Sequence, residues 1–342
     1  MQSKTRYLAI ISVAFLVAAI AVPVRLAMAQ AGFDYDYIMP DWLQNTAKFW
    51  QDGKISDSSF ITAFRYAIQH GMFQLKPKEQ RGFILTLSPD SKIIQQGQPI
   101  KCHIMNFPKV DWSGCDFSGV SLSNSDLHGS NLTGTIFAGA TIESSFLINS
   151  DLENSDLRWA GLKSSDLESA NLSHATLVGM LGQYLNMRFA DLTDANLSYS
   201  HMPDSSLNWA KMPGADFTHA DLGHSEFVSS DMSNVTAAWA NFQDSYLTGV
   251  DFTGSSAPHA NFQSADISNA NMTGADLSDA NMQNSGLGFA ILRNANLTGS
   301  DLSHADLGGA DLTGADLYGA NLAGADLAGA NLHCVRNPVC TG

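Results

Sequence analysis

The sequence predicts an all-β solenoid, and three observations carry that prediction. Every residue whose number ends in 2 or 7, from Trp112 to Leu332, is Leu, Phe, Met, Ile or Trp, except Gly182, Ala237 and Ala257. Two residues before each of these stands Ala, Ser, Thr, Cys or Val, with Met180 and Leu185 as the exceptions. Immediately before the apolar residue, 29 of the 45 positions are Asp or Asn.

The unit is A-[DN]-L-x-x, and its period excludes the regular alternatives. A repeat of five drifts around a 3.6-residue turn, so a helix would smear its apolar residues over every face. On a continuous strand, positions five apart point alternately up and down. The pattern works if the chain takes a short extended step, turns a corner and repeats. The small and the large apolar residue then both point inward, and the Asp or Asn between them points out. Gly, Asn and Ser after the apolar residue suit the corner. No single unit buries its own face, so coils must stack into one continuous core.

The units ANLTG, ADLSD, SDLSH and ADLTG closely resemble the consensus of the pentapeptide-repeat family, over residues 107–334. The resemblance implies a right-handed quadrilateral β-helix with four units per coil. Forty-five units then make about 11 coils, roughly 50 Å long at about 4.8 Å per coil.

Taken from the N-terminus, residues 1–29 have the layout of an export signal. Lys4 and Arg6 precede an apolar stretch from Leu8 to Val24, and Ala27-Met28-Ala29 is an A-x-A cleavage site. The competing reading keeps residues 8–24 as an uncleaved anchor. Either way the remainder is expected outside the cytoplasm, secreted or at the cell surface. Residues 30–81 read as a helical head, a hairpin of two helices. Asp41 with Gln44 resembles a capping box, Gly53 suits the first stop, Ser56 or Asp57 caps a second helix, and Gly71 ends it. This stretch also resembles a short module of secreted archaeal proteins, through Pro40, Trp42, Asn45, Gly53, Ile55, Asp57 and Phe60. Phe49 and Trp50 stand where that module has its aromatic pair, and the resemblance confers no activity. Residues 82–106 read as strand, Pro89-Asp90 turn and strand, forming the connector and N-terminal cap of the solenoid. Residues 335–342 are its C-terminal cap.

Four cysteines lie at the two ends of the repeat region, and an even count in an exported chain points to disulfides. A rod keeps the two groups apart, which leaves Cys102 with Cys115 and Cys334 with Cys340. A metal site at Cys102-His103 or His333-Cys334 is the weaker reading, since neither end offers three or four spaced ligands.

The register has no slip over about 220 residues, so any insertion must be a multiple of five. The expected place is 178–188, VGMLGQYLNMR, where Met180, Gly182 and Leu185 break the pattern together, as a loop or a bulged coil. Smaller irregularities are expected at NVTAAWA and SSAPHA. No nucleophile elbow, P-loop, dinucleotide fingerprint or H-E-x-x-H appears, so the expectation is no enzyme, no metal and no cofactor. From Asp111 to Leu332 there are 26 acidic and 5 basic residues, a net −21. A rod so charged fits a DNA mimic that inhibits a topoisomerase, as some family members do. However, 18 of those acids are Asp in the slot before the apolar residue, where the repeat demands Asp or Asn anyway.

Large aromatics replace small corner residues at Trp159, Tyr184, Phe189, Tyr199, Trp209, Trp239 and Phe289. At twenty residues per coil, Tyr199, His219, Trp239 and His259 form one column, and Phe189 with Trp209 another on the opposite face. These six are the candidate binding residues, since surface apolar patches mark contact sites. The expected partner is a protein or an envelope glycan, with no nucleic acid, and with the membrane met only through a retained signal segment. The main alternative is a glycan-binding or glycan-active protein using the aromatic column as a track. Its acid and base would come from Asp194, Asp204, Asp244 or Asp279, the acids off the consensus slot there.

Overall fold

The computed structural model describes residues 35–38, 74–77, 102 and 108–340. The chain divides into two units, Met1–Leu87 and Ser88–Gly342. In the first, strand β1 (Tyr35–Ile38) pairs antiparallel with β2 (Gln74–Pro77), Tyr35 opposite Pro77. These strands bracket the segment read as a helical hairpin. That hairpin, and the strand-turn-strand reading of the connector, lie outside the described residues. Sequence reasoning did not anticipate the strand pair.

The second unit is a four-sided parallel β-helix. Single-residue parallel bridges join positions twenty apart from Asp111↔Asn131 to Asp311↔Asn331, and a last one joins Asp316 to Val335. The large apolar residue and the small residue of each unit are buried, from Trp112 and Cys115 through to Leu317. Leu157, Leu197, Leu277 and Leu317 are all 0% exposed. Stacked coils therefore supply each other's core, as the period of five requires.

One side of one coil shows why the repeat has five residues. Asn196 N–H donates to Ala175 O of the previous coil at 2.9 Å, and Leu197 N–H to Asp216 O of the next at 2.7 Å. Tyr199 N–H donates to Thr218 O at 2.9 Å, and Ser200 N–H closes the corner on Leu197 O at 3.0 Å. The corner residue Tyr199 has φ +59°, so the turn is type II. The fifth donor, Ser198 N–H, is taken by the side chain Oδ1 of Asn196 at 3.0 Å. Every backbone N–H of the unit is thus paired, as a stacked backbone must have it.

That last bond explains the Asp/Asn slot. In all 29 units with Asp or Asn there, its Oδ1 accepts the N–H two residues on, at 2.9 to 3.4 Å. The turn needs an acceptor, and an amide oxygen serves as well as a carboxylate. Asp276→Asn is therefore expected to change the unfolding free energy by less than about 0.5 kcal/mol. Asp276→Ala, which orphans Ser278 N–H and Asn296 Nδ2, is expected to cost about 1–3 kcal/mol. Equilibrium urea unfolding of the two variants reads the difference.

The irregularity expected at 178–188 is not a loop or a bulge. The bridges Gly161↔Leu181, Leu181↔His201, Asp166↔Asn186 and Asn186↔Ser206 run straight through it. Gly182 leaves the shaft without its apolar side chain, and the oversized neighbours Leu185 and Met180 fill the space. A Cβ on Gly182 would meet Leu185 Cδ1 at 2.5 Å and Met180 Cε at 3.1 Å. The three exceptions are one volume-conserving exchange. At its corner the Ser205 Oγ accepts Leu185 N–H at 3.0 Å and donates to Gly182 O at 2.9 Å, the same bridge that Ser145 makes to Ser125 N–H and Leu122 O in an ordinary unit of this column. NVTAAWA and SSAPHA also keep register, with Thr236↔Ser256 and Ser256↔Asp276 bridged. The alanines there, Ala237 and Ala257, share their coils with Phe242, Phe252 and Phe262. Phe262 stacks on Phe242 at 4.9 Å and meets Phe252 edge-on at 6.2 Å.

Candidate functional site: stacked aromatics on the corners

The corner residue carries positive φ at every unit up to Gly329, and Thr, Val and Ile are absent from it. A β-branched side chain is strained there, and a bulky aromatic one is uncommon. Seven aromatics nevertheless take it, with φ between +58° and +62°. Their side chains lean toward the following coil, so successive corners stack.

The first column is built from Tyr199, His219, Trp239 and His259. Ring centroids are 4.9 Å apart for Tyr199 and His219, 6.3 Å for His219 and Trp239, and 4.1 Å for Trp239 and His259, with interplanar angles of 10° to 20°. The 4.1 and 4.9 Å spacings, in nearly parallel rings, are too short for rings lying side by side. Tyr199 with His219 and Trp239 with His259 therefore lie face on face, with their rims outward. Trp159 belongs to the same corner, with its indole lying over Gly179, where any Cβ would collide with the ring. Burial pushes the Tyr199 phenol up, and Asp216 adds to this. Burial lowers His219 against the opposing pull of Asp216, so it stacks as a neutral imidazole at pH 7.

The second column lies two sides away. Phe189 and Trp209 stack at 5.2 Å with planes 9° apart, and the Arg188 guanidinium carbon lies 5.0 Å from the Trp209 ring centre. Sequence reasoning missed Arg188, which occupies an ordinary corner position; the sign of its charge within an acidic stretch was the available signal.

The four off-slot acids take partners on the neighbouring coil. Asp194 lies 3.7 Å from His174, Asp244 4.0 Å from His224 and Asp279 3.8 Å from His259, and Asp204 accepts Gln183 Nε2 at 3.1 Å. Of these only Asp279 meets the aromatic column, at its end. Among the described residues no three His, Cys, Asp or Glu side chains gather as a metal site. The disulfides are Cys102–Cys115 and Cys334–Cys340, with Cα atoms 5.5 and 5.0 Å apart.

A four-sided parallel solenoid with a buried Leu shaft, Asx-closed corners and a five-residue unit defines a narrow class of repeat protein. The chain belongs to the pentapeptide-repeat family, whose model, pentapeptide repeats, matches residues 106–139, 147–179, 161–198, 190–227, 204–236, 230–266, 245–284, 260–299 and 295–333. Like the family, it folds as a right-handed quadrilateral β-helix. Among solved structures it is similar to HetL of the cyanobacterium Nostoc, a pentapeptide-repeat protein involved in heterocyst differentiation regulation. The two are 26% identical over 69% of this chain and 93% of that one, with a TM-score of 0.26. It is also similar to Rfr23 of the cyanobacterium Cyanothece, at 25% identity over 33% and 91% of the two chains and a TM-score of 0.32. A trypsin-treated QnrB1, a plasmid-mediated fluoroquinolone resistance protein, is 16% identical over 54% and 90%, with a TM-score of 0.48. No curated protein sequence matches the chain.

Proposed function

We propose that this protein is an exported, non-enzymatic scaffold that binds a protein partner at the cell surface. In this reading a helical head precedes a rod of about 11 coils, and the corner column Tyr199–His219–Trp239–His259 is the contact surface. The observation that carries it is the pairing of an uninterrupted register with that column. Bridges without a break from Asp111 to Val335 leave no projecting loop to shelter a reacting group, whereas the column spends strained corner positions on large side chains. Trp239 is 56% exposed, a cost in apolar surface that a partner would recover. The sequence of residues 1–29 and the two disulfides favour an oxidising compartment outside the cytoplasm.

The face-on stacking argues against a sugar track, because a sugar ring packs on an open aromatic face and here Tyr199 and Trp239 each turn a face onto a histidine. The Asx turns argue against a charge selected for DNA mimicry, since 18 of the acids serve as turn acceptors. The test is capture from the cell envelope of the source organism on immobilised full-length chain. Proteins retained by wild type and lost with Trp239→Gly are the expected result. Turnover of envelope glycan or peptide by the pure chain would overturn the reading.

A further inference from the structure

Of the four arginines among the described residues, three are paired. Arg158 binds Asp156 at 2.6 Å, Arg293 binds Asp311 at 2.5 Å, and Arg336 binds Asp316. Among the described residues Arg188 has no carboxylate within 4.0 Å, on a repeat region of net charge −21 where carboxylates are everywhere. Its Nε is buried without a hydrogen-bond partner. The nearby carboxylates are engaged elsewhere: Glu168 on the previous coil takes Asn186 Nδ2 at 3.2 Å, and Glu226, two coils on, takes Asn208 Nδ2 at 2.7 Å. The guanidinium instead lies against the Phe189–Trp209 stack, 5.6 and 5.0 Å from the two ring centres.

The buried Nε is closed to a ligand, so a partner is left the terminal Nη donors, and Arg is the side chain whose fork matches a carboxylate in two parallel bonds. The stacked rings strengthen that preference. With their negative faces turned on each other, Phe189 and Trp209 present positive rims to solvent, where they are 48% and 44% exposed. Tyr184, 54% exposed, occupies the corner at the opposite edge of the same side of the rod. A cationic fork beside aromatic rims suits one carboxylate carried on an apolar body. The wider field sets the other limit: the surrounding −21 repels polyanions, so the ligand carries few charges.

We infer that Arg188, with Phe189, Trp209 and Tyr184, is a receptor for a single carboxylate flanked by apolar side chains on an extended segment of a partner protein. This rests on the scaffold reading for the class of partner, and adds a second, chemically defined contact on the side opposite the Tyr199 column.

The test is panning of phage-displayed random linear peptides on the full chain. Selected peptides are expected to share an Asp, Glu or terminal carboxylate beside an apolar residue. Arg188→Gln should weaken the best of them at least about 30-fold and Arg188→Lys about 10-fold, as loss of a charge-assisted bidentate pair does. Replacing the peptide's own acid by its amide should give the same loss without touching the protein, which keeps the test valid should a variant fold poorly. Failure to select any such peptide would overturn the assignment. So would peptides that lack a common acid or bind Arg188→Gln unchanged. Peptides lost with Trp239→Gly but indifferent to Arg188 would overturn it while leaving the scaffold reading intact.

Discussion

Leu185→Ala and Gly182→Leu are each expected to destabilise the protein, and the double variant to recover most of both losses. Leu185 is 2% exposed and fills the volume that Gly182 leaves empty. Removing it opens a cavity that the surrounding coils cannot close without breaking the bridges on either side, a cost of about 2–5 kcal/mol. Adding a Leu at 182 with Leu185 in place forces the new side chain onto Leu185 Cδ1 and Met180 Cε, costing about 1–3 kcal/mol. Made together, the changes restore the ordinary unit, small residue at 185 and large at 182, and the remaining cost should fall below about 1.5 kcal/mol. The double-mutant cycle should therefore show a coupling of at least about 1.5 kcal/mol. Additive losses would mean that the two sites do not share one volume, and the packing described for this coil would be wrong.

The same residues show what was legible in the sequence. Period and small-large alternation are properties of a single unit, so they can be read without coordinates, and they led to the solenoid and the buried shaft. The columns twenty residues apart followed from the four units per coil that the family resemblance implies, and the Asp or Asn slot, read only as outward-pointing, shows its turn-acceptor role in the coordinates. The exchange among Met180, Gly182 and Leu185 involves neighbours across a corner, and a unit-by-unit reading sees only three broken rules. It could not see that a surplus in one slot fills a deficit in the next. Arg188 was hidden for a related reason. Its meaning lies in a missing ion pair, and whether an arginine finds an acid depends on side-chain directions that the repeat does not encode. The orientation of the aromatic rings was likewise out of reach: the spacing places Tyr199, His219, Trp239 and His259 in a line, while coordinates are needed to see which pairs lie face on face.

Trp239 separates a packing role from a binding one. A bulky residue in the left-handed region costs about 1–2 kcal/mol, which Gly avoids. The stack with His219 and His259 returns about 0.5–1.5 kcal/mol for each neighbour. These terms nearly cancel, so Trp239→Gly is expected to unfold within about 1 kcal/mol of wild type. Trp239→Val loses the stack and adds a β-branched side chain at φ +62°, and should cost about 3 kcal/mol or more. Urea unfolding of the two variants gives the comparison. If Gly proves as damaging as Val, the column is a fastening of the rod and its exposed rims need no partner. If Gly is near neutral, the tryptophan contributes little to folding, and its persistence in a strained corner calls for another cause. Loss of envelope-protein capture by this well-folded Trp239→Gly chain would then identify the cause as binding, whereas undiminished capture would move the contact surface off this corner.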